Sequence, residues 1–440
     1  MASGIRPFVR LGALVEYLRG SLWFGPTLAV IFAVVLGLAL TGVSPSPGSR
    51  LGRLVFSGTA QGAGAILGVI ATSVITVTTL VFSLTVLTLQ LASQQFSPRL
   101  LRTFLREGRN QVVLSVFLAT FVYALVVLRA VRSGSGTAEE VSGLAVSVAF
   151  LFMLATIAAF VAFIDHIAQS LRIDTLMRQV ESDTRSVIDA QHPQQRGEDD
   201  APPIPVQPGD AVPVPARRSG FVTGVSPQSL KRIAARHDVV LAVGPKLGDR
   251  VIQGSPLVLS WPHRQGDDGP DADTLVADVH DAVTLNFERT MQQDVAYGLR
   301  QLVDVAVKAL SPGVNDPTTA VHAIGHLASL LCVLVVRDLS PLVETDGDGV
   351  VRVVVETHDV SYYLDLACRQ IRLYGASDPV VAVELLQMLR DVASCATADE
   401  DLRAVREQAV LVVAAGERGI ADAYDMDAVR RAAAAVEEQL

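Results

Sequence analysis

The chain has 440 residues, of which 50% are hydrophobic and only 18% charged, with a mean hydropathy of +0.40. Soluble domains carry about a quarter charged residues, so this composition points to the membrane, and a net charge of −9 argues against broad nucleic-acid binding. The three cysteines, Cys332, Cys368 and Cys395, lie far apart and form no CxxC pair, which fits a reducing compartment and supplies neither a disulfide framework nor a zinc site.

Uncharged runs predict four membrane spans, at about 22–43, 62–95, 111–128 and 141–164, within a transmembrane domain at 1–164. The first run is too long for a cleaved signal peptide. Orientation follows from basic residues near the span ends. Arg6, Arg10 and Arg19 precede the first span, and Arg99, Arg102, Arg106 and Arg109 join the second to the third. The other two connections carry Arg50 with Arg53, and Arg129 with Arg132 beside Glu139 and Glu140. The richer pair is expected in the cytoplasm, with both termini there, in a multi-pass protein of a bacterial inner membrane. A fifth span hidden between Arg53 and Arg99 would put the C-terminal part outside, but no turn signal divides that run.

The second span is overlong at ~1.5 Å per residue and is expected to tilt or project. Thr72, Thr76, Thr79, Ser83, Gln90 and Gln94 fall within an arc of about 60° at ~100° per residue. Ile70, Val74, Val77, Val81 and Leu84 take the opposite face. A hydroxyl-and-amide stripe of this kind either lines water or packs against other helices. Packing is served by Ser and Thr bonding the backbone one turn back and by the small-residue spacing of Gly58, Gly62, Gly64 and Gly68. The stripe's length and its glutamines favour a pore, and one such subunit is small, so a pore needs a ring of subunits. Absence of Asp, Glu, Lys and Arg from the stripe argues against a proton relay.

The next segment, SPRLLRTFLREG, predicts a short helix capped by Ser97 and Pro98 and ended by Gly108. Its basic residues, Arg99, Arg102 and Arg106 with Arg109, share one face. They read either as a positive-inside anchor lying on the membrane or as an arginine collar at the inner mouth that favours anions.

Beyond Ile164 an amphipathic helical extension is expected at 165–190, then a stiff Pro-rich linker at 191–218. A small β module follows at 219–262. Gly220–Val225, Asp238–Val243 and Ser255–Trp261 read as strands, Pro227–His237 as a helix, and Lys246–Gly254 as a tight turn. GFVTGV followed by LGDRVIQGSPLVL is similar to the barrel-sandwich fold of lipoyl and biotinyl domains, although no lysine sits in a carrier motif. The acidic loop with Asp267, Asp268, Asp271 and Asp273 lacks the terminal Glu of a calcium site. Asp346-Gly-Asp-Gly lacks it too, and reads as a hairpin turn between Leu339–Thr345 and Val350–Glu356.

A mainly helical cytoplasmic domain is expected at 275–440. Glu288–Leu310 predicts a helix that buries Leu299, Leu302, Val303, Ala306 and Leu310. Asp294, Tyr297, Gln301, Asp304 and Lys308 form a separate face that is a candidate ligand surface. Asp316-Pro317 caps the next helix, where Asp316 with the N–H groups of Thr318 and Thr319 offers a weak anion site. That helix carries His322 and His326 at i, i+4, a weak metal pair without a third ligand. Val360–Tyr374, Pro379–Cys395, Asp399–Gly416 and Met426–Leu440 complete the helical set. No P-loop, GxSxG or kinase signature occurs, so no enzyme activity and no cofactor is expected.

Three phrases taken together carry a resemblance: TLQLASQQFSPRLLRTFLREGRNQ at 88–111, YGLRQLVDVAVKALSPGVNDPTTAV at 297–321, and the GFVTGV module. They resemble the bacterial predicted-membrane-protein family called domain of unknown function two-two-five-four, over roughly residues 10–435. The resemblance implies several N-terminal spans and a cytosolic C-terminal region, and no established activity. The expected fold is thus an α-helical integral membrane protein with four transmembrane helices and a cytoplasmic α+β region, a small β-barrel-like module before a helical domain. The expected function is a homo-oligomeric pore or ion channel with a cytoplasmic regulatory vestibule, taking a small ion. The alternative is a membrane-anchored sensor or scaffold that binds a small molecule or protein partner.

Overall fold

The computed structural model describes residues 23–42, 56, 58–95, 108–133, 143–170, 172–192, 203–263 and 272–440, with 91–95, 108–110, 132–133, 168–170 and 272–273 as backbone only. The expected basic helix with Arg99, Arg102 and Arg106 lies outside the described residues, as do Asp267, Asp268 and Asp271. The side chains of Gln94, Arg109 and Asp273 lie outside them too. The chain divides into two compact units, Met1–Ile173 and Asp174–Leu440.

The first unit holds helices α1 (Phe24–Thr41), α2 (Ala60–Gln95), α3 (Gly108–Ser133) and α4 (Gly143–Ser170). All three others pack on α3. Small residues set the approach of α1: a Cβ at Gly37 would come within 2.9 Å of Val126. Apolar matching alone gives little preference between protein and lipid here, so close packing and buried hydrogen bonds fix the arrangement. Tyr123 Oη donates to the Ala145 carbonyl at 3.0 Å, and the Thr120 and Thr156 hydroxyls meet at 2.9 Å. The core comprises Leu67, Ile70 and Val74 of α2, Phe117, Tyr123 and Val127 of α3, and Val146 and Phe163 of α4.

The second unit opens with α5 (Ile173–Gln191) and continues as β1 (Val212–Pro215), β2 (Gly220–Val225), α6 (Pro227–His237), β3 (Val239–Val243), β4 (Arg250–Val251), β5 (Pro256–Pro262), α7 (Ala272–Ala282) and β6 (Val283–Asn286). Helices α8 (Val295–Ala309) and α9 (Pro317–Leu334) follow, then the hairpin β7 (Leu342–Thr345) and β8 (Val351–Val355). Helices α10 (Val360–Gly375), α11 (Pro379–Cys395), α12 (Asp399–Gly419) and α13 (Ala423–Glu437) end the chain.

The local chemistry explains the elements. Ser226 caps α6 ahead of Pro227, and Asp238, with φ 49, ends it and turns the chain into β3. Asp316, Asp359, Asp378 and Asp422 cap α9, α10, α11 and α13 through their carboxylates. Asp294 caps α8, so that helix starts at Val295 and not at Glu288 as the apolar pattern suggested.

No closed barrel forms from the described residues. The strands make a five-stranded sheet of order β1-β5-β3-β8-β7 and a three-stranded sheet of order β4-β2-β6. The barrel expectation fails because β3 pairs in parallel with β8, placing Leu241 opposite Val353 and Val243 opposite Val355. Distant residues thus join the module, which does not stop at 262: α7, β6 and the hairpin share its core with Val222, Leu230 and Leu241. The expected linker also yields an edge strand, since Val212–Pro215 pairs antiparallel with β5. Prolines at 213 and 215 suit an edge, where an absent N–H breaks no ladder.

Among the described residues five helices are long and apolar enough to cross a membrane, one more than the expected four. Four are α1 to α4; the fifth is Pro317–Val335, containing α9, in the second unit. There Ala320, Ile324, Leu327 and Leu331 are buried, and α9 packs on α8 and α11.

Gly298 lets two helices approach closely, because a Cβ there would overlap the Thr184 side chain of α5. Gly298→Ala is expected to destabilise the unit by about 1–3 kcal/mol through overpacking. A lowered thermal midpoint, partly restored by adding Thr184→Gly, checks this.

Candidate functional site

Helix α2 presents its polar stripe away from the unit. Thr72, Thr76, Thr79, Ser83 and Gln90 are all exposed, whereas Ile70, Val74 and Val81 on the opposite face are buried. The two faces stand about 180° apart at ~100° per residue. The hydroxyls of Thr76, Thr79 and Ser83 donate to carbonyls one turn back at 2.8, 2.9 and 2.9 Å. Among the described residues no helix of the chain covers the stripe. Exposed Val69, Val86 and Leu87 flank it.

The expected ligand face on α8 is not an open surface. Asp294 is 2% exposed and Gln301 1%, Tyr297 is buried as well, and Asp304 and Lys308 are half-buried. Asp294 is consumed structurally: it accepts from Arg289 Nε at 2.7 Å and Nη2 at 2.8 Å, and from the Tyr297 N–H at 3.0 Å. Burial pushes the Arg289 pKa down, but its bonds and charge contact with Asp294 more than offset this and hold it raised. Gly248, with φ +86, makes room for the pair, since a Cβ there would strike the Arg289 guanidinium. Five residues on an arc suggested a surface because periodicity cannot distinguish a second buried face from a solvated one.

Asp316 serves as a cap, accepting from Thr319 N at 3.1 Å and Thr319 Oγ1 at 2.5 Å, so its own carboxylate occupies the expected anion position. The two histidines of α9 do not face each other across a metal. His322 Nδ1 lies 3.4 Å from Asp174 and His326 Nδ1 2.6 Å from Glu181. Among the described residues no group of three His, Cys, Asp or Glu side chains converges to hold a metal. These contacts belong to a polar ladder between α5 and α9. Ser329 donates to Glu181 at 2.5 Å, Arg185 donates to Ser329 at 3.1 Å, and beyond α9 Arg337 pairs with Asp189 at 2.5 Å.

Sequence reasoning missed a cavity of about 380 Å³ in the second unit. It opens where β8 ends at Val355, the carboxyl edge of the parallel β3–β8 pair, a position where sheet folds commonly take ligands. Helices α6 and α8 begin at its wall with Pro227 and Val295, and α5 ends at it with Gln191 and His192. Leu247, Leu342 and Val355 give it an apolar floor; Asp338, Glu344 and Glu356 give it carboxylates. His358 also lines it, stacked on Tyr362 with centroids 3.7 Å apart and planes at 7°. Burial pushes the His358 pKa down, as it does for His192. No motif marks these residues, because they lie on loops and element ends brought together by a non-local strand pairing. The usable signal was Thr-His-Asp-Val at 357–360, where a histidine precedes a helix cap.

The ladder yields a pH expectation. Burial raises the Glu181 pKa, but bonds from Ser329 and His326 and the charges of His326 and Arg185 outweigh it and lower it overall. A lowered carboxyl stabilises fully above its ordinary range, and that contribution is lost as pH falls through its folded value. Glu181→Gln should therefore lower the thermal midpoint at pH 7 and flatten the further fall below about pH 4. Melting at both values of pH measures this.

An uncharacterized protein of Mycobacterium tuberculosis and one of Mycobacterium bovis are each 37% identical over 435 residues, covering 98% of this chain and 82% of theirs. No solved structure matches. The family described as Predicted membrane protein (DUF2254) matches over residues 19–391. With its apolar helices and this match, the chain belongs to that family of predicted membrane proteins.

Proposed function

We propose that the protein is a homo-oligomeric conduit of a bacterial inner membrane, in which the α2 helices of several copies surround a common axis. The observation that carries this reading is the exposure of Thr72, Thr76, Thr79, Ser83 and Gln90 on the side of α2 opposite its buried face. Hydroxyls bonded to their own helix tolerate lipid, but an amide such as Gln90 has no such local outlet and is costly in hydrocarbon. One bundle of four helices is small for a water path, so a ring of copies supplies it. In this reading α1 to α4 cross the bilayer. Helix α9 does not, because Asp174, Glu181 and Arg185 of α5 pack polar side chains along it. Both termini lie in the cytoplasm, Arg99, Arg102, Arg106 and Arg109 stand at the inner mouth, and the second unit forms a regulatory vestibule without catalytic chemistry.

A second reading, a membrane-anchored sensor, is favoured by the cavity of the second unit. It makes the α2 stripe an assembly surface only. Purified full-length protein is expected to run as a multimer in native mass measurements and to conduct in planar bilayers. Thr76→Leu or Ser83→Leu should change unit conductance by a factor of about two or more, since each fills a narrow path with a larger apolar group. A monomer, or silent bilayers with the unsubstituted chain, overturns the conduit; altered assembly without any current favours the sensor.

A further inference from the structure

One end of the three-stranded sheet leaves two large apolar side chains in water. Phe287, directly after β6, is 88% exposed and is the most exposed aromatic residue described in the second unit; Ile252, directly after β4, is 65% exposed. The strand register brings them together. Gly220 of β2 pairs with Val251 of β4, and Phe221 pairs with Asn286 of β6, so the next residue on each outer strand flanks the start of β2. The Gln253 N–H donates to Ser219 Oγ at 2.9 Å and holds the β4 side in place. Val222, Val251 and Leu285 carry the apolar content of these strands into the core. Ile252 and Phe287 serve no packing there, and adjoining exposed apolar side chains mark an interaction surface.

Charge says what that surface meets. Arg217 and Arg218 lead into β2 and Arg250 sits opposite Phe221, and all three are exposed. The chain as a whole carries −9, yet among the described residues none of these three arginines forms an ion pair. Arg218 instead donates to the Leu285 carbonyl, which brings its guanidinium to the end of β6 beside Phe287. Of the carboxylates adjacent in sequence, Asp249 accepts from the Lys246 N–H at 2.9 Å and Glu288 is engaged within the chain.

Unpaired guanidinium groups around exposed apolar side chains fit an anionic lipid surface. The apolar groups enter the boundary between headgroups and acyl chains, and the arginines, on long apolar stems, meet phosphates. A chain with four apolar helices in its first unit also keeps a bilayer at high effective concentration for any docking surface it carries. We propose that this end of the three-stranded sheet docks on an anionic bilayer surface, with Phe287 and Ile252 in the headgroup layer and Arg217, Arg218 and Arg250 on lipid phosphates. The surface lies within the second unit and stands whether or not α2 lines a conduit.

The test uses the full-length protein in nanodiscs of phosphatidylcholine, alone or with phosphatidylglycerol, and the photocrosslinker p-benzoylphenylalanine in place of Phe287. Mass analysis of the peptide that carries it identifies what the ring touches. A lipid adduct is expected, at least about fivefold more abundant with the anionic lipid, because each arginine near an anionic surface favours docking by roughly that factor. Arg217→Gln combined with Arg250→Gln should lower the adduct in anionic discs at least about fivefold. Both side chains are exposed and unpaired, so the melting midpoint of this variant should not move; Arg218 stays, because its bond to Leu285 supports the strand. Salt at about 1 M, which shortens the screening length to ~3 Å, should act as the double substitution does. A crosslink to a second copy of the chain, no adduct, equal yield in both kinds of disc, or a yield untouched by the substitutions overturns the proposal. Silent planar bilayers with an intact lipid adduct would sink the conduit and leave this surface standing.

Discussion

The parallel pairing of β3 with β8 is the constraint on which the second unit depends. It joins Val239–Val243 to Val351–Val355 across more than a hundred residues of intervening chain. Loop closure over such a length costs entropy that only a buried, well-packed pairing offsets. The offset is visible in the surroundings: Leu241, Val243 and Val353 are buried together with Leu230 of α6. Arg352 fastens the corner, donating to Asp238 at 2.7 Å and to Asp346 at 2.8 Å. The first contact holds the left-handed residue between α6 and β3; the second holds the turn of the β7–β8 hairpin. With that corner fixed, the carboxyl edge of the pair faces the start of α8 and the end of α5, and a cavity results.

In the first unit a different constraint operates. A bilayer offers no hydrogen-bond partners, so each backbone and hydroxyl group must be satisfied within protein. Helix α3 packs on all three neighbours, and its Thr120 and Tyr123 make bonds between helices. Helix α2 resolves the same constraint locally, turning its hydroxyls back onto its own carbonyls. That local solution frees the hydroxyls of the stripe from any need for a neighbour. It also means that exposure of the stripe, rather than hydroxyl bonding, is what distinguishes its face.

Helix α5 ties the second unit together along its length. Its pairs with His322, His326, Ser329 and Arg337 run down one side, and Thr184 sits against the missing side chain of Gly298 on another. The half-buried Glu181–His326 contact midway along α5 and the cavity at its end put a titratable pair and a pocket on one helix.

Elements whose limits are set by neighbouring residues in the chain were legible without coordinates. Gly220–Val225, Pro227–His237 and Pro379–Cys395 have the bounds read from strand composition and from Ser-Pro and Asp-Pro caps, since caps and turns act within four residues. The apolar runs of α1 to α4 were legible for the same reason, because length and apolarity are properties of a segment. Which side of a helix meets protein was only partly legible: the opposite faces of α2 followed from periodicity, yet on α8 the same periodicity mistook Asp294, Tyr297 and Gln301 for a surface. The edge strand within a proline-rich stretch, the open sheet in place of a barrel, and the cavity with His358 were decided by tertiary structure alone. Each depends on the partner a segment finds far along the chain, and pairing at that distance leaves no trace in local composition or spacing.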